Sequence, residues 1–200
     1  MEKNTGKNEE LYKFFTNLDR SFFIENESKE LAHYDEALPI GYEQTISQPT
    51  LVYTMTAKLD LNKNHKVLEI GTGTGYQTAF LAEFGGQVYT VERIKELSWK
   101  AVNRLMQLGY KNINFRIGNG SDGWPDFAPY DRIIVTAAAS EIPQTLVDQL
   151  KPGGRMIIRV GRVDVQELLM IDSDSNGDVK IQSLGPVTFV ELKGDYGWAH

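Results

Sequence analysis

A short apolar segment followed by a glycine-rich turn is the feature of this sequence that most constrains its fold. Lys66–Ile70 has the length and composition of a buried strand, and Gly71, Gly73 and Gly75 follow it directly. Glycines are needed where a chain turns tightly and where its backbone approaches a ligand closely. Residues 75–84 then show a helical pattern, and a glycine pair after such a pattern is typical of a helix end. The segment therefore predicts a strand, a ligand-binding turn and a helix.

Strand-like and helix-like segments alternate beyond this turn. Residues 133–135 are all apolar, as expected for a strand that is buried on both faces. Strands that alternate with helices of about 10–15 residues are typical of a parallel sheet covered on both sides. We predict strands at residues 87–91, 113–117, 131–136 and 155–160, helices at 94–108 and 142–150, and a turn at 152–154.

The two ends of the chain follow other patterns. Apolar residues at helical spacing between Leu11 and Phe22 predict an amphipathic helix. We predict a structured loop at residues 34–49 and a second helix at 51–59, with Pro49 near its start. The C-terminal part contains strand-like segments with no helix between them, at residues 165–171, 179–184 and 187–192.

These patterns predict an α/β protein with a doubly wound, mostly parallel, Rossmann-like sheet, N-terminal helices and an antiparallel C-terminal edge. We expect a single domain, residues 1–200, because this length is ordinary for one domain. It would comprise a helical segment at 1–60, a cofactor-binding core at 61–160 and a β extension at 161–200.

Residues 172–177 match the opening Asp-x-Asp-x-Asn-Gly of a calcium-binding loop. Ser183, however, stands at the twelfth position, where that loop requires a bidentate glutamate. The flanking segments also read as strands, and Asn176-Gly177 between two strands is a hairpin signal. We therefore predict a hairpin at this position.

Composition excludes several classes of function. The sequence has no cysteine, which excludes disulfides, thiolate nucleophiles and cysteine-based metal sites. Its three histidines, His33, His65 and His200, offer no metal-ligand spacing. The net charge of −6 disfavours nucleic acid as a partner. No apolar run approaches the ~18 residues of a membrane span, and the polar N-terminus does not resemble a secretory signal. We expect a cytoplasmic protein with neither a metal nor a membrane partner.

Two acidic residues narrow the choice of ligand at the glycine turn, which includes Thr72. The turn is neither the Gly-x-Gly-x-x-Gly of a dinucleotide site nor a phosphate-binding P-loop. Glu69 precedes it, where a carboxylate suits the cationic methionine end of S-adenosylmethionine better than a pyrophosphate. Glu92 ends the next strand, where an acid accepts hydrogen bonds from ribose hydroxyls. The pair predicts an S-adenosylmethionine site; the alternative is that both are ordinary strand-end charges.

A second glycine-containing turn follows the third predicted strand. Gly118, Asn119 and Gly120 lie there, at the carboxyl edge of the sheet. That position suits contact with the adenine of a nucleoside cofactor. The alternative is a simple Asn-Gly turn with no role in binding.

Two further stretches resemble a known family. Residues 41–49, Gly-Tyr-Glu-Gln-Thr-Ile-Ser-Gln-Pro, are similar to the Gly-x-x-Gln-Thr-Ile-Ser-Gln-Pro signature of protein-L-isoaspartate O-methyltransferases. Residues 128–139, Ala-Pro-Tyr-Asp-Arg-Ile-Ile-Val-Thr-Ala-Ala-Ala, and residues 149–154, Gln-Leu-Lys-Pro-Gly-Gly, resemble the core of the same family. The Thr-Ile-Ser-Gln-Pro element is the specific part, whereas the glycine turn alone fits any class I methyltransferase.

The resemblance implies methyl transfer from S-adenosylmethionine to the α-carboxylate of L-isoaspartyl residues in damaged proteins. The family's active-site serine falls on Ser47, for which the alternative role is a helix N-cap or a turn residue. Small residues after the fourth strand, Ala138 and Ala139, would let a substrate backbone come close; the alternative is that they are packing residues. The cofactor contacts that the resemblance implies fall on Gln44, Thr45, the glycine turn, Glu92, Arg93 and Gly118 to Gly120.

The chain departs from the family pattern at four positions. Asn119 replaces the aspartate of the usual Gly-Asp-Gly, and Glu43 stands where bacterial members often have glycine. Arg159 and Glu191 stand where proline is common. These differences keep two alternatives open: a related methyltransferase with another small-molecule or peptide substrate, and a cofactor-binding relative without repair activity.

Thr-Ala-Ala-Ala after the fourth strand, in place of Asn/Asp-Pro-Pro-Tyr, argues against methylation of nucleic-acid bases. The sequence does not indicate the oligomeric state.

Overall fold

A computed structural model describes residues 3–162 and 165–187 of the chain. The N-terminal part consists of helices and a small hairpin, which pack against Phe80 and Leu105 on two of the helices that cover a larger sheet. The predicted loop at 34–49 contains this hairpin, in which two short strands pair antiparallel. The elements are α1 (Lys3–Asn17), two 3-10 turns (Arg20–Phe23 and Glu27–Leu31), β1 (Leu38–Gly41), β2 (Gln44–Ile46) and α2 (Pro49–Leu59).

A seven-stranded sheet forms the centre of the described structure, with the order β5-β4-β3-β6-β7-β8-β9. Its first five strands in this order run parallel, and the last two are antiparallel, which confirms the predicted fold class. The strands are β3 (Lys66–Ile70), β4 (Gln87–Glu92), β5 (Ile113–Ile117), β6 (Tyr130–Ala139), β7 (Leu150–Arg162), β8 (Val165–Ser173) and β9 (Val179–Val187).

Helices cover both faces of this sheet because its central strands are apolar on both sides. On one face Val67 and Ile134 pack against Met55 of α2 and Leu81 of α3 (Tyr76–Phe84). On the same side, α4 (Lys95–Gln107) buries a stripe at helical spacing that includes Leu97, Ala101 and Leu105. The other face packs β3, β6 and β7 against the short helix α5 (Gln144–Val147).

The order of the strands places a binding crevice at the carboxyl end of β3. From β3 the chain proceeds outward to β4 and β5, then returns to the other side of β3 as β6. The loops after β3 and β6 therefore separate, and ligands bind at such a switch point in open α/β sheets. The glycine turn lies between β3 and α3, at this crevice.

Two sequence predictions in this core are wrong in extent. The helix predicted at residues 142–150 is a single turn, Gln144–Val147, because the Gln149 carbonyl accepts a hydrogen bond from Tyr130 N–H at 2.8 Å and draws the chain into the sheet. The predicted turn at 152–154 belongs to β7, which begins at Leu150. The β6–β7 register shifts here, so a local irregularity accommodates the two glycines.

The C-terminal edge contains the predicted hairpin. Asp174 Oδ1 accepts hydrogen bonds from the backbone N–H groups of Asn176 and Asp178, at 2.7 and 3.0 Å, and Gly177 has a φ of 89°. This carboxylate thus stabilises the turn between β8 and β9. The strand predicted at 187–192, apart from its first residue, and Glu191 lie outside the described residues. Within the described ranges, no helix combines the length and apolar character needed to cross a membrane.

Candidate functional site

A cavity opens at the carboxyl ends of β3 and β4, where the switch point predicts a site. The N-terminal hairpin covers it on one side and the glycine turn forms its floor. The structure brings nine of the sequence-predicted residues to its wall: Gln44, Thr45, Ser47, Gly71, Thr72, Gly73, Glu92, Arg93 and Gly120.

The glycine turn has backbone conformations that residues other than glycine adopt only at a cost in free energy. Gly71 and Gly73 have φ angles of 96° and 53°. A side chain on Gly71 would collide with the hydroxyl of Thr136, whose single proton is shared between the carbonyl oxygens of Ile70 and Gly71 at 2.9 and 2.7 Å. A side chain on Gly73 would meet no atom within 4 Å. The turn therefore presents bare backbone to the cavity.

Glu92 presents its carboxylate at the cavity wall in a fixed orientation. One carboxylate oxygen accepts from Gly73 N–H at 2.8 Å and the other from Ile94 N–H at 2.9 Å. These bonds join the end of β4 to the glycine turn and to the start of α4. Each oxygen retains lone pairs for another donor, so Glu92 is suited to accept hydrogen bonds from a hydroxylated ligand.

Glu69 lies beneath the turn, away from the cavity. Its side chain is fully buried, and one oxygen accepts from the hydroxyls of Thr78 and Thr90, both at 2.6 Å. The Thr90 hydroxyl also makes a 2.6 Å hydrogen bond with the Thr72 hydroxyl. Burial raises the pKa of Glu69 to about 8, although the hydroxyls of Thr78 and Thr90 lower it. The structure thus does not place this carboxylate beside a ligand; it connects Glu69 to Thr72 through Thr90.

Three other predicted contacts do not line the cavity. A side chain on Gly75 would approach Leu105 of α4 at 3.0 Å, so this glycine permits close helix packing. Gly118 is held by a backbone bond to Glu92 at 3.0 Å. Asn119 is exposed, and its side-chain oxygen accepts from Ser121 N–H at 3.1 Å as an N-cap. In this segment Gly120 is the residue that reaches the cavity.

Ser47 lies on the opposite side of the cavity, between β2 and α2. Among the described residues its hydroxyl makes no hydrogen bond, and Ser47 does not cap α2. The capping carboxylate belongs to Asp35, which accepts from Thr50 N–H at 2.9 Å and from the Thr50 hydroxyl at 2.7 Å. The Ser47 hydroxyl is therefore available to a ligand.

The residues after β6 differ from the predicted substrate contacts. Ala138 and Ala139 are fully buried, because β6 extends further than the sequence suggests. Thr136 and Ala137 line the cavity instead. Arg159 of β7 is fully buried, where its guanidinium donates to the Thr136 carbonyl, and burial lowers its pKa well below the usual range. A large charged side chain thus supports the wall of the cavity from behind.

Sequence reasoning also missed residues of the wall that come from several elements. Tyr76 opens α3 and Leu97 lies in α4, and both read as ordinary core positions in helical patterns. Ile40 comes from β1 and is brought to the cavity by the hairpin. A recognised hairpin signal at 41–44 could have found Ile40, but Tyr42-Glu43 lacks the usual Asn-Gly sequence.

Comparison with known proteins identifies the family. A family model described as Protein-L-isoaspartate(D-aspartate) O-methyltransferase matches residues 1–197. The protein-L-isoaspartate O-methyltransferase of Dictyoglomus turgidum is 53% identical over 197 residues, which cover 98% of this chain and 89% of that protein. The chain belongs to the protein-L-isoaspartate O-methyltransferase family.

Solved structures of this family share the fold. A protein-L-isoaspartate O-methyltransferase superposes with a TM-score of 0.82 at 27% identity, covering 95% of this chain and 67% of the other. A structure from Plasmodium falciparum assigned to the same enzyme, in complex with S-adenosyl-L-homocysteine, has a TM-score of 0.79 at 26% identity. It covers 92% of this chain and 89% of its own.

The family's cofactor, S-adenosylmethionine, fits the cavity. The bare backbone of Gly71 and Gly73 forms a cradle that a side chain on Gly71 would disrupt. The carboxylate of Glu92 faces this cradle and provides acceptors for hydroxyl groups. The described residues contain no group of three or more His, Asp or Glu side chains that could hold a metal ion. The site therefore offers the donor and acceptor set of a nucleoside cofactor.

Proposed function

We propose that this protein transfers a methyl group from S-adenosylmethionine to the α-carboxylate of L-isoaspartyl residues in damaged proteins. The observation that carries the proposal is that Ser47 and the glycine turn line one cavity, in a chain that belongs to the protein-L-isoaspartate O-methyltransferase family. The acceptor side of the cavity, at Ser47, would then face the cofactor side, at the glycine turn.

The chemistry requires placement more than proton transfer. When bound, S-adenosylmethionine supplies an electrophilic methyl group on a sulfonium. A carboxylate acceptor with a pKa near 4 is already ionised at neutral pH, so it needs no general base. Orientation of the reacting groups and exclusion of water then account for the acceleration, and well-oriented groups gain ~7–11 kcal/mol relative to free reactants.

Each side of the cavity has a distinct role in this proposal. The Ser47 hydroxyl donates to one oxygen of the acceptor carboxylate and leaves the other oxygen to attack. Glu92 accepts hydrogen bonds from the ribose hydroxyls, and Gly71 and Gly73 let the backbone approach the cofactor. Gln44 and Thr45 cover the cofactor from the hairpin, while Gly120 contacts its adenine side. Glu69 positions the turn from beneath through Thr90 and Thr72.

Matched peptides test the proposal. The protein is incubated with methyl-labelled cofactor and a peptide containing either L-isoaspartate or L-aspartate at one position, and cofactor affinity is measured separately by calorimetry. We expect label in the isoaspartyl peptide alone. Equal labelling of both peptides would mean another acceptor chemistry, and cofactor binding without labelling would identify a relative without repair activity.

A substitution of Ser47 tests its assigned role. We expect Ser47→Ala to lower the turnover number by about 10-fold, the effect of one lost hydrogen bond of about 1.4 kcal/mol, with cofactor affinity nearly unchanged. Ser175→Ala, at an exposed position in the turn between β8 and β9, is the matched control and should retain turnover. A parallel loss of turnover and cofactor affinity in Ser47→Ala would assign Ser47 to the cofactor site.

A further inference from the structure

A buried arginine lies directly behind the acceptor side of the cavity. Arg20 belongs to the first 3-10 turn and is 5% exposed. Its neighbours include Tyr76 of the cavity wall and Asp35, whose carboxylate charge favours the guanidinium. Burial is the larger effect, and it lowers the pKa of Arg20 from its usual value. A buried cation must be offset by many hydrogen bonds, since it gives up its hydration.

The four terminal N–H groups of Arg20 are all used on backbone carbonyl groups. One terminal nitrogen donates to Ala32 and Tyr34 at 3.2 and 3.1 Å, and the other to Glu36 and Ser47 at 2.7 and 3.1 Å. The carbonyl of Ile46 lies at 3.5 Å, too long for a good bond. The guanidinium thus joins two separate segments, residues 32–36 and residues 46–47.

Asp35 connects the same two segments from the protein surface. Its carboxylate accepts from Thr50 N–H at 2.9 Å, from the Thr50 hydroxyl at 2.7 Å and from the Gln48 amide at 2.9 Å. Burial raises the pKa of Asp35, but the bonds from Thr50 and Gln48 and the charge of Arg20 outweigh it and lower the pKa. Ser47 therefore lies between two fixed points: its own carbonyl on Arg20, and the following residues on Asp35.

We propose that Arg20 is a positioning residue for methyl transfer, which holds the Ser47 segment so that its hydroxyl faces the acceptor carboxylate. This inference rests on the proposed function of Ser47. Only a planar guanidinium with two terminal nitrogens reaches both segments at once; a lysine ammonium has the charge but not this fork. A misplacement of the order of 1 Å can lower a rate by ~100-fold.

The closing experiment compares Arg20→Lys, Ser47→Ala and the double variant. Turnover on an isoaspartyl peptide, cofactor affinity by calorimetry and the melting temperature are measured for each protein. We expect Arg20→Lys to lower kcat by up to about 10-fold, the full effect of losing the Ser47 hydroxyl, with KM for the peptide and the cofactor affinity changed less than about 3-fold. In the Ser47→Ala background the same change should lower kcat by less than about 3-fold, because the hydroxyl that Arg20 positions is gone.

The matched control is Arg155→Lys. Arg155 donates to the carbonyl of Lys58 at 2.8 Å and pairs with Asp172, at the far end of α2 from the cavity. We expect it to lower the melting temperature without a change in kcat. If Arg20→Lys does not fold, Asp35→Asn replaces it, because Asp35 is exposed and acts on the same segment.

The outcomes separate the two proposals. A wild-type protein that does not label the isoaspartyl peptide contradicts the proposed function itself. Labelling by the wild type, together with an Arg20→Lys effect that is equally large in the presence and absence of the Ser47 hydroxyl, overturns the positioning role. Unchanged kcat in a folded Arg20→Lys or Asp35→Asn protein overturns it as well.

Discussion

Replacement of Glu69 by glutamine should change how the stability of this protein depends on pH. Glu69 is fully buried beneath the glycine turn, and burial raises its pKa from 4.5 to about 8. At about 1.4 kcal/mol for each pKa unit, this shift corresponds to a change in the free energy of unfolding of the order of 5 kcal/mol. Few single carboxyl groups make so large a pH-dependent contribution to the free energy of unfolding.

The sign follows from the protons that each state binds. In the unfolded chain Glu69 ionises near pH 4.5, whereas in the folded chain it keeps its proton until pH about 8. Between these values the folded state binds more protons, so the free energy of unfolding falls as the pH rises. Below pH 4.5 Glu69 is protonated in both states, so its ionisation does not lower the free energy of unfolding. Above pH about 8 it is ionised in both states, and the loss of stability is complete. Glutamine is neutral throughout, so Glu69→Gln should lack this component.

Urea unfolding at pH 5, 6, 7 and 8, followed by tryptophan fluorescence, measures the effect. We expect Glu69→Gln to gain stability relative to the wild type as the pH rises, by several kcal/mol over the whole range. Glu10→Gln, at an exposed position on α1, is the control and should follow the wild-type profile. Parallel profiles for Glu69→Gln and the wild type would refute the assignment of a protonated, buried carboxyl group.

Two further substitutions test the cofactor side. Gly71→Ala should destabilise the protein by about 1–3 kcal/mol more than Gly73→Ala in thermal unfolding, because both have positive φ but only Gly71 would place its side chain against Thr136. Equal destabilisation would contradict the steric argument. Glu92→Gln should weaken S-adenosylmethionine binding by about 10-fold in calorimetry, because one of two acceptor oxygens becomes a donor. Glu96→Gln, exposed on α4, is its control, and an equal effect of both substitutions would remove Glu92 from the binding site.

The parallel core of the fold was predictable from local patterns. Lys66–Ile70 and Ile113–Ile117 have the predicted bounds because each is a short strand-like segment, mostly apolar in the first and alternating in the second, that ends before a glycine. The short α5 was not predictable in this way. Residues 142–150 have a helical pattern, but pairing of Gln149 with Tyr130 takes the chain into the sheet, and that contact depends on tertiary structure.

The residues of the site also divide into those that a local sequence pattern identifies and those that depend on tertiary contacts. Ser47, Gly71 and Glu92 were found from motifs, since each stands at a fixed place in a local sequence pattern. Arg20 was not found, because its four partners are backbone carbonyl groups, which carry no signature in the sequence. Glu69 was found, but its position was misjudged: a strand residue two places before the turn points into the core here and not toward the ligand.

The most direct test of the account is a comparison of three peptides with the wild-type protein. They share one sequence and carry L-isoaspartate, L-isoaspartate with its α-carboxylate amidated, or L-aspartate at the same position. With methyl-labelled S-adenosylmethionine, we predict transfer to the first peptide alone, because only it offers a free α-carboxylate on the displaced backbone. Label in the amidated peptide, or equal label in the aspartyl peptide, would contradict a carboxylate acceptor held at Ser47.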